Sequence, residues 1–171
     1  MTSSPVKRLS ADAMLIGVAM MLSYLEAILP LSLIVPIPGA KLGLANVAVT
    51  LCFFKISPID AAAVSLIRIS LTALLFGNVQ SLLFSLFGSV LAYIGMCIAK
   101  LFIKHLSFYG ISVMCAALHN LGQCLAAMIV LGSPEILSYL PLLLICALFF
   151  GLITGAVITP ISKIKVFTNN A

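Results

Sequence analysis

The chain is a succession of long apolar runs separated by short polar or Pro- and Gly-rich stretches. The runs are continuous rather than alternating, which favours helices over the strands of a membrane barrel. Six spans are predicted, at about 11–30, 42–56, 58–77, 79–104, 107–131 and 136–160. The second has only some 15 residues. At about 1.5 Å rise per residue it falls short of a hydrocarbon core of about 30 Å. The preceding segment, 31–41, is therefore expected to dip into the membrane and complete the layer. Pro58 suits the first turn of the third helix. There is no internal repeat, and the two halves lack matching broken helices, which argues against an inverted-repeat transporter.

The strongest interruption is Pro36-Ile37-Pro38-Gly39-Ala40-Lys41-Leu42-Gly43-Leu44-Ala45-Asn46. The prolines remove backbone donors and bias their predecessors away from helix. Beside apolar spans, irregular backbone is tolerated only at an interface, buried in protein or lining a watery cavity. A plain interhelical turn is the competing reading.

Composition settles the class. Of 171 residues 63% are hydrophobic and 8% charged, with mean hydropathy +1.30, against about 25% charged in soluble domains. The chain is expected to be one all-α membrane domain. Its net charge of +5 does not mark a nucleic-acid binder, because the basic residues are spread one or two per loop. With the N-terminus inside, Lys7, Arg8, Lys55, Lys100, Lys104, Lys163 and Lys165 are cytoplasmic, seven of nine basic residues. The positive-inside rule then puts both termini in the cytoplasm. Lys7 and Arg8 before an apolar run resemble a signal peptide, but Asp12, Glu26 and the lack of a cleavage site favour a retained first span. The five cysteines lie in apolar spans without a CxxC pair or metal spacing and read as small buried hydrophobes. No metal or cofactor is called for.

Glu26, Arg68, His119, Asn120 and Gln123 lie where hydrocarbon is expected. A charge at mid-bilayer costs about 2.5–3.5 kcal/mol on insertion scales, so such residues face the protein interior, pair, or mark a substrate path. Counting along each span puts Glu26 in the outer third, Arg68 and His119 near the middle, and Gln123 one turn further out. His119 and Gln123 share a helix face, as do Asn120 and Gln123. Asn46 begins the short second span, and Asn78 and Gln80 sit at the outer end of the next hairpin. The shared depth predicts a pocket open to the outside beneath the 31–41 loop, with Lys41 at its rim. The alternative is glue: a Glu26–Arg68 ion pair and interhelical amide bonds. In the pocket reading Arg68 anchors an anionic group through its planar fork. His119, buried and neutral, serves as a hydrogen-bonding group rather than a base. Lys41 and Arg68 against Glu26 favour an anionic or zwitterionic ligand.

Catalytic patterns are missing: no HExxH, GxSxG or Walker run occurs. The isolated Asp12 and Asp60 do not make the carboxylate cluster that would hold Mg²⁺ at a diphosphate. Without a Walker motif, ATP-driven work needs other subunits. Small residues at four-residue spacing recur in Ala13–Gly17, Gly88–Ala92 and Ala147–Gly151–Gly155. Such faces let helices approach closely, and internal packing is the expectation for any one of them.

Leu25-Glu26, the string PIPGAKLGLAN over 36–46, the Arg68 span and His119-Asn120-Leu121-Gly122-Gln123 together resemble a small bacterial membrane family. It is called the Gx transporter family and is also labelled heptaprenyl diphosphate synthase component I. The resemblance covers about residues 11 to 160. That family looks like the substrate-binding S components of energy-coupling factor (ECF) transporters. The resemblance implies six helices with both termini inside, in the bacterial cell membrane. It implies a small-molecule pocket near the outer face and docking to a transmembrane coupling subunit and ATPases. Small residues of the first helix, here Ala13 and Gly17, would form the docking face. The synthase label conflicts with the missing carboxylate motif. The expected function is substrate capture for uptake, by a non-catalytic subunit. The alternatives are a membrane subunit of isoprenoid or menaquinone synthesis, associated with a prenyl synthase, and a structural scaffold.

Overall fold

A computed structural model describes residues 5–28, 41, 43–103 and 106–164. Among them are six α-helices: α1 (Pro5–Ile28), α2 (Asn46–Lys55), α3 (Pro58–Phe76), α4 (Val79–Phe102), α5 (Phe108–Leu131) and α6 (Leu140–Ile161). A 3-10 turn, Pro134–Tyr139, leads into α6. All but α2 are long and apolar enough to cross a membrane, so this is a multi-pass membrane protein. At 10 residues, α2 spans about 15 Å, half a hydrocarbon core.

Local chemistry explains the boundaries. Ser57 caps α3 by accepting the Ile59 N–H at 3.2 Å, with Pro58 in the first turn. Asn78 caps α4 through the Ser81 N–H at 2.8 Å, and Ser107 caps α5 through Gly110. Gly132, at φ 65°, ends α5 in the left-handed region. Two starts differ from the sequence expectation. α1 begins at Pro5 rather than near 11, because its polar first turns stay helical and Arg8 makes a two-pronged ion pair with Asp60 of α3. α2 begins at Asn46 rather than near 42, because Gly43 turns the chain at φ 81°. The expected dip of 31–41 falls, except for Lys41, outside the described residues.

Glycines set the packing of α4, α5 and α6. A Cβ at Gly122 would lie 2.6 Å from the Phe87 carbonyl oxygen and 2.8 Å from Gly88 Cα, so α5 meets α4 backbone to backbone. Gly151 and Gly155 of α6 lie equally close to Val113 and Tyr109 of α5. These faces pack internally, as expected. Ala13 and Gly17 differ: both are exposed, and a Cβ at Gly17 would meet nothing within 4 Å. The expectation of internal packing fails for that face among the described residues, because α1 turns its Leu15, Ala19, Ser23 and Glu26 side inward instead.

The main core joins Ala19, Cys52, Phe53, Val64, Met96 and Cys115 from five helices, and a second cluster gathers Phe84, Cys124, Ala127 and Leu143. Arg8, Lys55 and Lys100 share one end of the bundle. There Lys100 Nζ lies 5.4 Å from the Phe53 ring centre, Lys55 Nζ 5.9 Å from that of Phe108, and Arg8 holds Asp60.

Candidate ligand-binding site

Lys41 and the turn over 43–46 sit between α1 and α5, tied to both. On the α5 side, Gln123 accepts the Lys41 N–H at 2.8 Å and donates to the Lys41 carbonyl at 2.9 Å. One side chain thus satisfies both backbone groups of a residue that has no helix to do so. On the α1 side, Glu26 Oε1 accepts the Leu44 N–H at 2.6 Å. Beneath the turn lies His119, its Cδ2 3.4 Å from where a Gly43 Cβ would be. On its far side the ring abuts Gly88 of α4, whose Cβ position is 2.8 Å from His119 Cε1. A side chain at residue 88 would displace the imidazole, so the glycine is what lets the ring lie between α4 and the turn.

Arg68 of α3 is 2% exposed. Its Nη1 and Nη2 donate to Ser23 Oγ of α1 at 3.4 Å and Ser89 Oγ of α4 at 3.1 Å. The expected alternative of a Glu26–Arg68 ion pair is not formed. Among the described residues the salt bridge is Arg8–Asp60, and Glu26 instead holds the turn. Two neutral hydroxyls do not neutralise a buried guanidinium. Glu26, Lys41 and Arg68 still lie within electrostatic reach of one another, with His119 in the field of Arg68 and Lys41. Lys41 stands outside the helices, and burial pushes its ammonium group down from the ordinary lysine range.

Among the described residues several buried polar atoms here have no partner: Glu26 Oε2, Asn46 Nδ2, Arg68 Nε, Thr72 Oγ1, Ser85 Oγ, His119 Nδ1 and Asn120 Oδ1. Native interiors leave few such atoms unpaired. Asn120 is the outlying member: its Nδ2 donates to the Leu143 carbonyl of α6 at 2.7 Å, an interhelical bond of the glue kind. Behind Asn46 a narrow cleft runs between α2, α5 and α6, lined in part by Thr50, Ser112 and Thr154, with room for little more than a single water molecule. The sequence marks Arg68 but not Ser23 and Ser89 that hold it. Ser81, Ser85 and Ser89 recur every fourth residue on α4, and that spacing was the available signal.

Residues 15–161 match the family model described as heptaprenyl diphosphate synthase component I. No curated protein and no solved structure matches the chain.

Proposed function

We propose that this chain, which belongs to the heptaprenyl diphosphate synthase component I family, is a non-catalytic membrane subunit that captures a small anionic or zwitterionic molecule for uptake. The observation that carries this reading is Arg68: buried, held by two hydroxyls, and without a carboxylate partner among the described residues. A ligand anion supplies the missing charge and takes the free Nε. Glu26 holds the 43–46 turn over it, Gln123 holds Lys41 beside it, and His119 and Asn46 offer further hydrogen bonds. Asn120 joins the same level of the bundle from the α6 side.

In this reading the six helices all contribute to the membrane layer, and both termini face the bacterial cytoplasm. The clustering of Arg8, Lys55 and Lys100 at one end supports that orientation under the positive-inside rule. Energy comes from an ECF-type coupling subunit and its ATPases, and the open Ala13–Gly17 face of α1 is the surface offered to them. The family description supports a second reading, a membrane subunit associated with heptaprenyl diphosphate synthase.

Native mass spectrometry of the protein purified alone in mild detergent separates the two. Substrate capture predicts a bound small-molecule mass released on denaturation. Prenyl product formed only after co-purification with a soluble prenyltransferase, and no ligand mass on the isolated subunit, contradicts it.

A further inference from the structure

We propose that the α3–α4 interface outward of Arg68 is the second half of the ligand site. There Thr72 and Ser85 bind a hydroxyl, carbonyl or amide group lying about 6 Å from the ligand's carboxylate, one helical turn away. The inference rests on the proposed role of Arg68 as anion anchor and names the class of molecule that follows from it.

Register comes first. α3 and α4 are antiparallel, joined through Gly77 and Asn78, and Arg68 of α3 reaches Ser89 of α4 at 3.1 Å. One helical turn further along each helix, toward Gly77 and Asn78, lie Thr72 and Ser85. Both are buried, at 3% and 2% exposed. Neither hydroxyl has a partner among the described residues.

Ser112 Oγ of α5 is a third such hydroxyl, on another helix. A Ser or Thr hydroxyl in a helix commonly turns back onto the carbonyl three or four residues earlier. Thr154 and Thr159 do so, onto Gly151 and Gly155 at 2.9 and 2.7 Å. The buried hydroxyls of Thr72 and Ser85 do not, and are available to a guest. Arg68 Nε is also an open donor among the described residues.

Geometry and charge then define the guest. The two oxygens of one carboxylate, forked onto the guanidinium, do not reach groups a helical turn away. A second polar group on the ligand is needed. By formal charge, Arg68 and Lys41 against Glu26 leave one positive charge at the site. A single carboxylate balances it, whereas a multiply charged diphosphate exceeds it.

The test uses the full chain in detergent, with thermal stabilisation as readout and two probes, sodium pentanoate and sodium 5-hydroxypentanoate. Their hydrocarbon chains match, and the hydroxyl of the second lies about 6 Å from the carboxylate when extended, the rise of four helical residues. The expected half-maximal concentration is about tenfold lower for the hydroxy acid, the effect of one added hydrogen bond. Thr72→Val with Ser85→Ala removes that advantage, so that the two acids respond alike. Thr72→Ser keeps the advantage, and Arg68→Leu abolishes both responses. Equal responses to the two acids, or an advantage that survives the double substitution, overturn the inference while leaving the anion site standing. Response to neither acid overturns the anchor role of Arg68 and the inference with it.

Discussion

Gly88→Ala tests how closely the site is built into the α4–α5 contact. The new Cβ would lie 2.8 Å from His119 Cε1, 2.9 Å from Nδ1 and 2.9 Å from the His119 carbonyl oxygen. Comfortable carbon contacts begin near 3.5 Å, so α5 must retreat by about half an ångström or more. The imidazole can rotate, but the carbonyl oxygen moves only with the helix. Retreat is blocked from behind, because Val113 and Tyr109 on α5 already touch the glycine face of α6 at Gly151 and Gly155. Overpacking of this kind costs about 1–3 kcal/mol, offset by up to about 1 kcal/mol from the better helix propensity of alanine. Three contacts under 3 Å, one of them to backbone, put the cost in the upper half of that range, so the expected net loss is about 1–2 kcal/mol. Gly17→Ala is the matched control, since its Cβ enters open space and only the propensity gain remains. Thermal unfolding in detergent should place Gly88→Ala below the wild type and Gly17→Ala at or above it. A Gly88→Ala protein as stable as the wild type would refute the close-contact reasoning.

Three further predictions follow from the same contacts. Gln123→Leu strands both backbone groups of Lys41; it should cost about 2 kcal/mol and speed hydrogen exchange at the Lys41 amide, and unchanged exchange would show that Gln123 does not hold the turn. Glu26→Gln keeps an acceptor for the Leu44 N–H, so melting should stay near wild type while Glu26→Leu falls clearly below it; equal melting of the two variants would contradict the role of Glu26 in the turn. For topology, Lys163→Cys and Glu135→Cys place exposed thiols at opposite ends of α6. Impermeant label in intact cells should reach residue 135 only, and external labelling of residue 163 overturns both the orientation and the outward-facing site.

The spans were legible because apolar runs and their Ser, Asn and Pro caps act locally, as at Ser57–Pro58 and Asn78. The start of α1 was not, because Arg8 and Asp60 are 52 residues apart and only folding joins them. The start of α2 was not, because the positive φ of Gly43 is one of several conformations open to glycine. Glu26, Arg68, His119 and Gln123 stood out because charged and amide groups are rare within apolar runs. Their partners did not. The Gln123 bonds go to the backbone of Lys41, and backbone carries no sequence signal. Ser23, Thr72, Ser85 and Ser89 are of a type common in membrane helices, and only the helix register gives them meaning.

The central claim is that Arg68 meets a ligand anion rather than only holding α1 to α4. The most direct test compares ligand binding by the isolated wild-type protein with Arg68→Leu, by native mass spectrometry on samples of matched folded fraction. Leucine removes the charge, while the Ser23 and Ser89 hydroxyls that held it remain. The account predicts a bound small-molecule mass in the wild type that is lost in Arg68→Leu. The same bound mass, retained with unchanged affinity by a folded Arg68→Leu protein, would contradict it and leave Arg68 as interhelical glue.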